Sequence, residues 1–277
     1  MTPFVFTLVV LAISCLAGLL GSLVGVGGGI IVVPALTLLL GVGIQKAIAA
    51  SIVSVIATSS GAASSYVRER IANIRLGMVL EVSTVLGALT GALLAAVVPV
   101  RGLFLLFACI LAYTAWSMFR RPTARPVDAA PDRLAERLGL HGAFYDRSLG
   151  REVAYRVSRT RLGLAVGYVA GVASGLLGIG GGILKVPVMN LAMGMPIKAC
   201  TATSNFMIGV TAATGAAVYF MRGEVLPFVA APVAVGVLLG ARAGARLLGG
   251  MRSDAIKLIF VAVLVVSSIQ MLLKGVR

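Results

Sequence analysis

Apolar residues run along this chain in long blocks separated by short polar stretches, and block length says more than periodicity. Runs able to cross about 30 Å of hydrocarbon fall near 4–24, 44–66, 77–98 and 101–119, and again near 162–177, 197–220, 226–249 and 254–273. The pattern predicts eight transmembrane helices in two sets of four. Two more apolar pieces, 30–41 and 183–194, would be about 18 Å long as helices, too short to cross alone. They read as half-helices or re-entrant arms.

Each short piece follows the same punctuation. Gly25-Val26-Gly27-Gly28-Gly29-Ile30 precedes Pro34, and Gly178-Ile179-Gly180-Gly181-Gly182-Ile183 precedes Pro187. Glycine weakens a continuous helix and proline lacks an amide donor, so both apolar runs are expected to break here. Non-helical backbone at membrane depth survives only where protein or a water-filled cavity surrounds it. Paired interruptions in two halves of a chain point to a transporter's binding site.

Sliding the chain by the offset between Gly25 and Gly178, without a gap, aligns Ala17-Gly18 with Ala170-Gly171, Ser51 with Ser204 and Thr58 with Thr211. It also aligns Tyr66 with Tyr219 and Gly87-Ala88 with Gly240-Ala241. Roughly three in ten positions match over residues 17–111, which marks an internal duplication. The organisation expected is a membrane repeat at 1–119, a basic linker at 120–161 and a second repeat at 162–277. Because 4–24 resembles a segment deep in the chain, it reads as structure and not as a leader.

Composition agrees with a membrane protein: 59% of the residues are hydrophobic, 12% are charged, and the mean hydropathy is +1.05. The net charge of +15 does not imply nucleic acid, because the arginines flank apolar runs and do not interleave with aromatics on one module. Positive charge on cytoplasmic loops explains them. The linker carries ten arginines against five acids, and Pro122, Pro126 and Pro131 make its first part an exposed connector. Its later part, on either side of Ser148-Leu149-Gly150, suits a short hairpin. Four crossings per half give parallel repeats, whereas counting each arm as a crossing would invert them. The expectation is parallel repeats, with both termini and the linker on the cytoplasmic side of the cell's inner membrane.

Cys15, Cys109 and Cys200 are scattered in apolar contexts, and His141 stands alone in the linker. Neither a metal site nor a nucleophile–histidine set can be assembled, and no Walker lysine follows the glycines. The chain is expected to be no enzyme and to need no cofactor.

The candidate chemistry is anion binding. A helix starting at Ile30 or Ile183 leaves glycine amides as unpaired donors, with the peptide dipoles adding positive potential. The candidate substrate residues are therefore Gly27, Gly28, Gly29, Gly180, Gly181 and Gly182, joined by the Ser/Thr/Asn cluster Ser51, Thr203, Ser204 and Asn205. The competing reading is that the glycines only allow close helix packing. Lys185, whose counterpart is Val32, is a buried ammonium that needs a partner or a purpose. Glu81, a carboxylate inside a span, is the candidate for coupling to a proton or cation. It lies about a turn from the start of its span, so an interfacial pair with Arg75 is the favoured reading.

The repeated Gly-x-Gly-Gly-Gly-Ile-x-x-x-Pro element, the second copy Ser174–Asn190 and the stretch Ala202-Thr203-Ser204-Asn205-Phe206-Met207 resemble the TauE/SafE sulfite-exporter family of membrane permeases. The resemblance covers both membrane halves. It implies an all-α polytopic secondary transporter of small sulfur-containing anions such as sulfite, sulfonates or thiosulfate, driven by an ion gradient across the lipid bilayer. A passive anion channel and a non-transporting scaffold are the alternatives.

Overall fold

The computed structural model describes residues 3–120, 132–248 and 250–276. Arg121, Pro122, Pro126, Asp128 and Pro131 of the linker lie outside the described residues. The chain is built almost wholly of helices. In the first half these are α1 (Pro3–Val24), α2 (Gly29–Pro34), α3 (Ile44–Arg68), α4 (Ile74–Leu94) and α5 (Val100–Arg120). The second half repeats them as α7 (Thr160–Leu177), α8 (Gly182–Pro187), α9 (Ile197–Met221), α10 (Pro227–Leu248) and α11 (Ser253–Val276). Between the halves stand a short helix, α6 (Arg133–Arg137), and a hairpin of β1 (Gly142–Asp146) and β2 (Arg151–Tyr155).

Seven of the described helices are long and apolar enough to cross a bilayer. The eighth expected span corresponds to α5, which is 21 residues long. Many large apolar side chains, among them Phe4, Leu16, Val82 and Leu239, face outward, as a lipid-facing surface requires.

Glycines decide how the helices pair. On α1 and α10, Gly236 packs against Leu11, Gly240 against Cys15 and Gly244 against Leu19 and Ser22. Both indices rise together, so these helices run parallel at backbone contact, as small residues allow in membranes. The α4–α7 seam repeats the arrangement, with Gly171 on Thr84, Gly87 on Tyr168 and Gly91 on Val172. The first long helix of each half thus packs on the fourth element of the other.

The direction of the halves departs from the sequence expectation. The equivalent helices α3 and α9 pack antiparallel, Ser59 meeting Gly209 while Ile52 approaches Gly215. The repeats are therefore inverted, not parallel. The cause is the arm. After α1 the chain doubles back, Gly28 lying against Ala17 and Leu36 and Leu40 beside Val10, so each half makes five passes. An odd number of passes separates the linker from the termini. The hairpin packs at the end of α3 and the starts of α4 and α9, through Arg147 to Glu69, Asn73 to Leu140 and Lys198 to Asp146. The end of α11 lies at the opposite face, where Lys274 donates to the Thr37 carbonyl of the first arm at 2.7 Å. Linker and termini on one side, as expected from four crossings per half, is thus incorrect.

Candidate substrate site

Each break is made by glycines in the left-handed region. Gly25, Gly27 and Gly28 have φ of 79°, 82° and 74°, and Gly178, Gly180 and Gly181 repeat this at 69°, 76° and 73°. Gly28 and Gly181 cap the short helices in that conformation, which a Cβ disfavours by roughly 1–2 kcal/mol. Pro34 and Pro187 close α2 and α8, and the chain widens into π-turns at Ala35–Leu39 and Val188–Ala192. A proline lacks the donor that the regular ladder needs, and a wider turn re-pairs the following carbonyls. The amides of Gly29, Ile30, Gly182 and Ile183 bond to no acceptor among the described residues.

The two breaks meet at the centre of the molecule and are clasped crosswise. Ser51 of α3 donates to the Gly178 carbonyl at 2.7 Å, and Ser204 of α9 donates to the Gly25 carbonyl at 2.6 Å. Thr58 donates to the Gly27 carbonyl, Ser59 to the Asn205 carbonyl, and Asn205 Nδ2 to the Ser22 carbonyl. Tyr66 and Tyr219 close the rim by donating to the Ser22 and Gly175 carbonyls at 3.0 Å each. Two oxygens here, Asn205 Oδ1 and Thr201 Oγ1, are buried without a partner. The loops touch: a Cβ on Gly29 would stand 2.6 Å from the Gly178 carbonyl, and one on Gly182 would collide with the Gly25 carbonyl. Among the described residues, one cavity of 420 Å³ lies between α1, the outer side of the first arm and α11, and one of 460 Å³ lies between α5 and α11.

The structure therefore brings Gly27–Gly29, Gly180–Gly182, Ser51, Ser204 and Asn205 together. Thr203 is not among them. Its hydroxyl accepts the Asn73 amide at 2.9 Å and ties α9 to the start of α4. Lys185 lies along the break, its Cε 3.4 Å from where a Cβ of Gly181 would be. It is not a free cation. Its Nζ stands 3.5 Å from Glu81 Oε2 and donates to Thr211 Oγ1 at 2.9 Å. Thr211 donates to Glu81 Oε1 at 2.5 Å, and Thr84 to Glu81 Oε2 at 3.0 Å. Glu81 is thus no interfacial partner of Arg75. Thr84, which sequence reasoning passed over, was signalled only by its place three residues after Glu81, on the same helix face.

Residues 10–271 match the family described as sulfite exporter TauE/SafE. The chain belongs to that family. It is also similar to the probable membrane transporter protein YunE of Bacillus subtilis (strain 168), with 28% identity over 275 residues, 97% of this chain and 98% of that one. No solved structure matches it. Membership makes this chain a polytopic membrane transporter of the TauE/SafE type.

Proposed function

We propose that the protein is a secondary transporter of small sulfur-containing anions, such as sulfite, sulfonates or thiosulfate, and that substrate binds where the two glycine breaks meet. The observation that carries this reading is the crosswise clasp of the breaks by Ser51 and Ser204. Two interrupted helices from inverted halves face one another at the centre, with unpaired amides, hydroxyls from both halves and Lys185 beside them. Hydroxyls and amides replace the hydration of an oxyanion without adding net charge. Since the loops touch, binding parts them, and the substrate takes over the hydroxyls now spent on the glycine carbonyls. Rocking one half against the other would expose this point to each side in turn.

Sidedness follows from charge. Arg68, Arg70, Arg75, Arg242, Arg246, Arg252 and the described linker arginines, Arg133 to Arg161, lie at the linker face, against Lys46, Arg101, Arg222 and Lys274 at the other. The linker face is then cytoplasmic and both termini lie outside.

A thermal-shift screen of the purified chain with sulfite, thiosulfate, sulfoacetate and taurine, against sulfate and carboxylate controls, tests the substrate class. A ligand at a hundred times its Kd stabilises the folded state by about 2.7 kcal/mol. No shift with any sulfur anion would count against that class. Uphill uptake into proteoliposomes separates a carrier from a channel, which cannot concentrate its solute. The scaffold reading draws on one observation, the backbone contact of Gly29 and Gly182. It requires that no anion stabilise the protein.

A further inference from the structure

The polar cluster around Lys185 breaks the symmetry of the two halves. The positions equivalent to Lys185, Glu81 and Thr84 are Val32, Ala234 and Val237, and only Thr211 has a polar counterpart, Thr58. The surroundings are nevertheless symmetric. A crevice of about 10 Å³, room for one water, lies between α4, α7 and the second arm, lined by Gly163, Val166, Lys185 and Met193. An equal crevice lies in the other half, lined at the equivalent positions by Val10, Ile13, Val32 and Leu40. The fold repeats the crevice, and the sequence places a charge pair in only one copy. That copy is near the linker face, since Gly163 is in the first turn of α7 and Met193 follows the arm where it meets the linker through Ser158.

We infer that Glu81 is a proton site that releases Lys185 to hold the anion, so that one proton travels with each singly charged substrate. The inference rests on the anion-carrier reading. With Glu81 ionised, its carboxylate neutralises the ammonium and the empty site carries no net charge. When a proton from solvent bonds to Glu81 Oε2, the carboxyl becomes neutral and the Lys185 ammonium is left uncompensated beside Gly181. A monoanion then restores neutrality. The empty pair and the site holding proton and anion together are both neutral, whereas proton alone or anion alone leaves a buried unit charge. Each ligand therefore raises the affinity for the other. The charged group that faces Glu81 is Lys185 of α8. Around it α9 brings Thr211 and α4 Thr84, while α7 brings Gly167 and Gly171 to this stretch and turns Tyr168 toward Thr90.

The test uses the full chain in detergent and isethionate, a singly charged sulfonate that does not titrate between about pH 5 and 8, with dianionic sulfoacetate for comparison. Wild-type affinity for isethionate is expected to rise about tenfold per unit fall in pH while Glu81 is ionised, with about one proton taken up per anion. Glu81→Gln should bind with the wild-type low-pH affinity at every pH. Lys185→Met should lose binding, and Glu81→Gln/Lys185→Met, which removes both charges, serves as its folding control. A flat wild-type pH dependence, or an unchanged slope in Glu81→Gln, overturns the inference. Difference infrared spectra on acidification need no anion: a carboxyl band present in wild type and missing in Glu81→Gln is expected, and its absence from wild type overturns the proton site. If isethionate and sulfoacetate both fail to bind while the band appears, the sulfonate reading falls and the proton site stands.

Discussion

At the scale of single residues, Lys185 and Glu81 carry the sharpest consequence for stability. Breaking a buried pair by removing one partner costs roughly 3–5 kcal/mol, because the other charge stays behind unpaired, whereas replacing both costs far less. Glu81→Gln and Lys185→Met should each lower the denaturation midpoint strongly in detergent, and the double variant should recover most of the loss. Equal effects of single and double variants would mean that the pair is not coupled. The glycines make a second residue-scale case. Gly29→Ala and Gly182→Ala place a methyl group on the carbonyls of Gly178 and Gly25, so each should cost about 1–3 kcal/mol or more by overpacking, measured the same way. Part of this was legible in the sequence. Lys185 announced itself as a charge in an apolar run, but a sequence gives depth along one helix and says nothing of its neighbours. Glu81 therefore read more readily as an interfacial partner for Arg75, and Thr203, adjacent to Ser204, could not be assigned to the opposite face until α9 was seen against α4.

At the scale of elements, the linker hairpin is fastened by charge and not by area alone. Lys198 Nζ reaches Asp146 Oδ1 at 2.6 Å and Ser148 Oγ at 2.8 Å, both ends of the ion pair being buried. Asp132 caps α6 and accepts the Thr160 amide at the start of α7 at 2.6 Å. Burial alone would raise both carboxyls. Bonds from Lys198 and Ser148 outweigh it at Asp146, as those from Thr160, Leu134 and Ala135 do at Asp132, so both sit below the ordinary aspartate value. A depressed carboxyl stabilises the fold fully above its unfolded value, near ~4, and the contribution is lost as pH falls through the folded value. Docking of the hairpin should thus be constant from about pH 5 to 8 and weaken only below about 4, as amide hydrogen exchange at Phe144 and Val153 would report. Asp146→Asn should bring that exchange on at neutral pH. The arms were visible in advance as glycine and proline punctuation, because left-handed backbone and a missing donor are local facts. Their direction was not, since whether a short helix goes on or turns back depends on what it packs against.

At the scale of the whole molecule, one turn of the chain decides the topology. Reading each arm as a partial entry gives parallel repeats and a divided charge pattern, with Lys46, Arg101, Lys198, Arg252 and Lys257 together on the sparsely charged side. Counting it as a return pass moves Lys198, Arg242, Arg246 and Arg252 to the linker face and Arg222 and Lys274 away from it, so the linker face gains two positive charges on balance. The geometry, derived from helix packing, and the charge distribution, which played no part in that derivation, agree on the same topology. The agreement yields a direct prediction. With the three native cysteines replaced by alanine, a membrane-impermeant maleimide added to intact cells should label Val276→Cys in the last turn of α11. It should label Leu149→Cys, at the exposed tip of the hairpin, only after the cells are permeabilised. Labelling of both positions from the same side would restore an even number of passes per half and remove the inversion. An anion carrier gains from the inverted form in a specific way: the crevice beside Val32 lies toward the termini and the one beside Lys185 toward the linker. Each arm then guards one face, and the same two breaks can be reached from either side without moving the site itself.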